Sequence, residues 1–138
     1  MIEAGVMITV LNSLMAHREL IQSALDRQVG EGFTFQHVFD LVKNEQALFF
    51  WNKTSCAVIE IRRYPGETNL HVFLGAGTTE GLLELYEHVS AWGGKVVGAT
   101  KMTTLCRKGF KRTLAKHGWK ESQVWLTKEI GISKEAVQ

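Results

Sequence analysis

The chain has 138 residues, 45% of them apolar, with a single proline and 16 basic against 14 acidic side chains. That composition describes one ordinary folded domain and excludes a disordered, collagen-like or disulfide-scaffold chain. No apolar run approaches the roughly 20 residues of a membrane helix, the N-terminal stretch lacks the basic region of a secretory signal, and a net charge of +2 is too small to argue for nucleic acid by itself.

Met7 to Val10 is apolar enough for a short edge strand. From Leu11 to about Val29 the residues Leu14, Leu20, Ile21 and Leu25 recur at helical spacing, and Gly30 and Gly32 end the helix. Thr34 is placed to cap a second helix, with Val38, Phe39, Leu41 and Val42 on its buried side. Two strands follow, Ala47 to Trp51 and Ser55 to Arg63, joined by a hairpin turn at Asn52-Lys53-Thr54. A second turn at Tyr64-Pro65-Gly66-Glu67 leads into the strand Asn69 to Gly77.

Glu80 to Trp92 carries Leu82, Leu85, Tyr86, Val89 and Trp92 at helical spacing. After Gly93 and Gly94, Val96 to Ala99 reads as a short strand, Cys106 to His117 as a basic helix, and Ser122 to Ile130 as a final alternating strand. Val124, Trp125 and Leu126 alternate there, so part of that trio faces outward. Hairpins in the middle and crossovers at the end predict an α/β fold: a mixed central sheet with helices on both faces. One domain spans 1–130, and 131–138 is a polar C-terminal tail.

The glycine-containing turn from strand to helix, Gly77-Thr78-Thr79-Glu80-Gly81, is the feature that carries chemistry. Free amides and the helix dipole converge there, which makes such a turn an anion cradle. Thr78 or Thr79 also suits an N-cap, and Glu80 suits the positive end of the helix, where a carboxylate contributes about 0.3–1 kcal/mol.

The element order, with these turns, resembles the GNAT acyltransferase family. In that family the turn reads Arg or Gln, two residues, Gly, one residue, Gly or Ala, and its amides hold the pyrophosphate of acetyl-CoA. Aligned on Gly81, this chain has Thr78 at the first position and Leu83 at the last. Gly118-Trp119 resembles the Gly-Phe that follows the family's penultimate helix; counting back, Leu114 stands where its tyrosine acid would be. Leucine cannot protonate a leaving thiolate, a task that Ser, Cys or water would then take.

A narrower resemblance, over about residues 33–128, is to small GNAT-like proteins of tailed bacteriophages. It rests on Tyr64-Pro65, the strand Leu70 to Gly77, Trp92 before Gly94, and Arg107-Lys-Gly-Phe110 ahead of Gly118-Trp119. That resemblance implies a catalytically degenerate virion or assembly component, made in the host cytoplasm and then carried in the particle. Its partners would be other virion proteins, such as those of the head and tail, or further copies of itself, with no cofactor.

Two alternatives stand beside it. The first is an acyl-CoA-dependent N-acetyltransferase binding acetyl-CoA at Gly77, Thr78, Thr79 and Gly81, with Gly75 as a shifted part of the cradle. Glu60 or His71 would be its base; as neighbours across two strands they also suit a plain polar pair. The second is a DNA-contacting accessory protein, resting on the stripe Arg107, Lys108, Lys111, Arg112 and Lys116, which is equally a solvated helix face. The five scattered histidines have no metal-ligand spacing, and Cys56 and Cys106 read as reduced thiols.

Overall fold

The computed structural model describes residues 4–29, 32–106, 108–124 and 126–131. Its helices are α1 (Ala4–Ala16), α2 (Arg18–Ala24), α3 (Phe35–Lys43), α4 (Thr79–Trp92) and α5 (Lys108–Ala115). The strands β1 (Leu48–Trp51), β2 (Ser55–Arg63), β3 (Thr68–Gly77) and β4 (Lys101–Thr104) form one sheet in the order β1-β2-β3-β4. The first two pairings are antiparallel and β3–β4 is parallel, so the sheet is mixed as expected.

Alternation along β2 divides the core. Cys56 and Val58 point to one face, where Leu14, Ile21, Leu25, Phe35, Val38 and Val42 of the first three helices cover them. Ala57 and Ile59 point to the other, against Leu82, Leu85, Tyr86 and Val89 of α4 and Leu114 of α5. Each of the fully buried aliphatic side chains contributes about 1.5–3 kcal/mol of transfer free energy.

On β3 the alternation changes phase. Leu70 and Val72 belong to the α4 side, whereas Leu74 and Ala76 belong to the other. The register slips at the same place: Val58 pairs with Leu74 and Ile59 with Val72, leaving Phe73 as an extra residue. This β-bulge bends the strand. Pairing between β3 and β4 runs from Asn69↔Lys101 to Val72↔Thr104 and stops there. Beyond the bulge the last residues of β3 have no strand on that side among the described residues.

Local chemistry explains most element ends. Asn52 Oδ1 accepts from Thr54 N (3.1 Å), Ser55 N (2.8 Å) and Ser55 Oγ (2.7 Å), which closes the first hairpin. The second turn closes through Tyr64 N to Glu67 O at 2.8 Å. Thr34 precedes α3 as expected, its amide donating to His37 Nδ1 (2.9 Å). The Phe35 amide is satisfied by Gln22 Oε1 from α2 (2.9 Å), which ties the two helices together.

Three expected elements differ. Met7 to Val10 is helical, because in α1 the residues Val10, Leu11 and Leu14 all reach the core, which a short strand could not arrange. The long first helix breaks at His17, whose Nδ1 turns back to Ser13 O (2.7 Å), and continues as α2 and a π-helical turn, Leu25–Val29. Gly30, its expected end, lies outside the described residues.

Val96 to Ala99 is not a strand. Residues Gly93–Val97 extend α4 as a π-helical turn, Gly98 takes φ 74° to end it, and β4 begins only at Lys101. Gly93 is required for close approach, since a β-carbon there would strike Leu70 Cδ1.

Finally, the described residues between 122 and 130 form no strand, and Val124, Leu126 and Ile130 are exposed. Trp125 and the tail from 132 onward lie outside the described residues. No described helix is long and apolar enough to cross a membrane.

Candidate functional site

The bulge at Phe73 and the early end of β4 open a cleft of about 250 Å³ between the two strands. Leu74 to Gly77 form one side and Thr104, Leu105 and Cys106 the other. Tyr86 and Phe110 supply an apolar wall, Arg27 reaches the cleft from the turn after α2, and Thr79 stands at the first turn of α4. A strand edge without its neighbour, a helix N-terminus and a cation therefore meet in one concavity.

The expected cradle residues divide between two roles. Gly77 takes φ 119°, and a β-carbon there would meet the backbone of Thr54 and Ser55. Thr78 is the N-cap of α4, its Oγ1 accepting from Gly81 N at 3.1 Å. A cap of this kind is worth about 1 kcal/mol. Gly81 turns away from the cleft: its carbonyl accepts from Asn52 Nδ2 (2.9 Å), and a β-carbon would strike Thr54 Oγ1. Its lack of a side chain serves contact with the β1–β2 hairpin, and its amide is engaged by the cap.

The amides at the first two helical positions, Thr79 and Glu80, have no acceptor within the helix. Glu80 is exposed. Gly75 and Gly77 both line the cleft.

His71 and Glu60 face each other across β2 and β3 as the register requires. His71 is buried and its Nδ1 lies 2.8 Å from Thr103 Oγ1, while Glu60 Oε1 lies 3.4 Å from Arg62 Nη2. Burial, and then the charge of Arg62, hold the His71 imidazole below its ordinary pKa against an opposing effect of Glu60. Neither residue lines the cleft.

Leu114 is buried in the α4-side core. In its stead Cys106 brings a thiol to the cleft, raised above the usual cysteine range by burial, with Lys111 opposing. Sequence reading gives Cys106 only as a reduced thiol and does not single out Arg27; their signal is position, two residues past the end of β4 and three past the end of α2.

The basic stripe is partly spent. Lys111 Nζ pairs with Glu121 at 2.7 Å, and the hydrogen bond keeps that carboxyl below its usual range. Arg112 and Lys116 are exposed; Arg107 and the side chain of Lys108 lie outside the described residues. An exposed pair of this kind adds little to stability.

No protein-family profile and no curated protein matches this chain. Solved structures do. A possible acetyltransferase from Clostridium difficile 630 superposes with a TM-score of 0.66 at 10% identity, covering 89% of this chain and 94% of that one. The fold is GNAT-like. A probable acetyltransferase matches with a TM-score of 0.67 at 8% identity over 91% of this chain and 95% of that one. Glucosamine-6-phosphate N-acetyltransferase from Arabidopsis thaliana gives 0.61 at 11% identity, covering 86% and 94%. At such identities the likeness concerns the GNAT-like fold alone.

Proposed function

We propose that this GNAT-like chain binds an acyl-CoA in the β3–β4 cleft and serves as an acyltransferase toward an amine. The observation that carries the reading is the cleft itself, with the end of β3 that β4 does not reach, the first amides of α4 and Arg27 around it. Strand amides and carbonyls suit an extended amide-bearing chain, and helix amides with a guanidinium suit phosphates. Glu80 opposes a phosphate at the same helix end, and Arg27 offsets it.

A bound acyl-CoA would supply an activated thioester. This chain's part is to align it along Gly75 to Gly77 and to hold a proton at Cys106 Sγ for the departing sulfur. An ordinary thiol already carries its proton at neutral pH, and burial shifts Cys106 further in that direction, so it has a proton to give. His71 and Glu60 do not line the cleft, and this reading gives them no step.

Calorimetric titration with acetyl-CoA tests the reading. The expected result is micromolar binding that Thr79→Trp, which fills the cleft from an exposed position, abolishes. No heat at millimolar ligand would reject it. That outcome would favour the second reading, a degenerate GNAT-like scaffold acting by protein contacts, for which the engaged Gly81 amide and Leu114 in place of an acid already speak. Presence in, or absence from, purified phage particles would then test the virion role.

A further inference from the structure

Tyr86 is only 4% exposed, yet among the described residues its hydroxyl makes no hydrogen bond. No fully buried side-chain oxygen of the described residues lacks a partner, so this one reaches open space, and the space that Tyr86 lines is the β3–β4 cleft. Buried hydroxyls are as a rule hydrogen-bonded, because an unmet donor carries its desolvation cost without return. A donor left open inside a cleft marks a place for an acceptor on a ligand.

The hydroxyl is held in position. Trp119 packs against the ring with centroids 5.9 Å apart, and the oxygen sits against Gly75, where only the absence of a side chain makes room. Along α4, Thr79, Leu82 and Tyr86 follow at spacings of three and four and all line the cleft, so the hydroxyl lies inward from the helix N-terminus. Phosphates suit that N-terminus; the reacting end of an acyl-CoA then lies deeper, where Cys106 also lines the cleft. Burial, and then charge at Cys106 and Cys56, raise the Tyr86 phenol well above its ordinary range. A phenol so raised keeps its proton: it can donate a hydrogen bond, but it is too weak an acid to protonate a thiolate.

We propose that the Tyr86 hydroxyl donates a hydrogen bond to the thioester carbonyl oxygen of the bound acyl-CoA and is a catalytic residue of the transfer. This role rests on the acyl-CoA reading of the cleft and divides its chemistry between two side chains. As the amine nitrogen attacks the carbonyl carbon, the π pair moves onto oxygen, and the Tyr86 hydroxyl stabilises that charge without giving up its proton. When the pair returns, the carbon–sulfur bond breaks and the sulfur takes the proton of Cys106 Sγ. The proton lost by the nitrogen restores the Cys106 thiol through water.

Infrared difference spectra of acetyl-CoA, isotopically labelled at the acetyl carbonyl and bound to the full chain, test this. The bound carbonyl band is expected at lower frequency in the unmodified protein than in Tyr86→Phe, which keeps the ring and its packing on Trp119. Calorimetry gives a second measure that needs no variant: the unmodified protein is expected to prefer acetyl-CoA over S-ethyl-CoA, a thioether without the carbonyl, by about two- to tenfold. Tyr86→Phe removes that preference. Acetyl-CoA binding with the same carbonyl band in both proteins, or without preference over the thioether, overturns the proposal and leaves the acyl-CoA reading standing. No binding of either compound at millimolar concentration rejects that reading, and this role with it.

Discussion

The hydroxyl of Tyr86 stands where a β-carbon on residue 75 would be, with Leu82 Cδ2 only 3.3 Å from the same point. The glycine is thus what lets α4 settle onto β3, and the tyrosine ring so placed becomes a wall of the cleft. Gly75→Ala is expected to destabilise the fold by about 1–3 kcal/mol through overpacking. Adding Tyr86→Phe is expected to recover part of that loss, with a coupling energy of about 1 kcal/mol in a double-mutant cycle. Denaturant titration of the four proteins measures it; strictly additive losses would mean that the contact does not set the need for glycine.

The two thiols differ in accessibility. Cys56 is buried and burial pushes its pKa to about 12, whereas Cys106 is exposed at the cleft. Alkylation of the native protein at pH 8 is expected to modify Cys106 first, more slowly than a free cysteine because its pKa is also raised. Cys56 reacts only after unfolding. Peptide mass mapping reads the order, and early modification of Cys56 would contradict the packing of the α1–α3 face. Should acetyl-CoA occupy the cleft, it would slow labelling of Cys106 and leave global stability free to rise.

His71 confers a pH dependence on stability. Its folded pKa is depressed, so the unfolded chain binds more protons between the folded value and the ordinary value near 6.5. Stability is therefore full above about pH 6.5 and falls as the pH drops toward the lower folded value. Denaturation midpoints measured through this range are expected to decline on acidification. His71→Gln, which can still hydrogen-bond toward Thr103, should remove that part of the slope, and an unchanged slope would place its origin elsewhere.

Much of the architecture was legible from spacing alone. Thr34 and Thr78 mark the starts of α3 and α4, Asn52 to Thr54 closes a hairpin, and Leu82, Leu85, Tyr86 and Val89 form a buried helical face. The phase change in β3 was less legible, because Val72, Phe73 and Leu74 are all apolar and a bulge among them leaves no period-two signature. Gly81 looked like part of an anion cradle, whereas Thr54 across the hairpin is what demands it. That demand comes from a residue 27 positions away, which local pattern cannot reveal.

The sequence by itself determined which segments bury a face, where caps and turns stop them, and hence a mixed sheet between two helical layers. These are local consequences of side-chain periodicity and backbone chemistry. Only the tertiary structure decided that β3 and β4 part after Val72 and Thr104, that Arg27 and Cys106 both line the opening, and that His71 is not among its lining residues. Those facts depend on register and on how a bulged strand bends against its neighbour, quantities set by contacts between residues far apart in the chain.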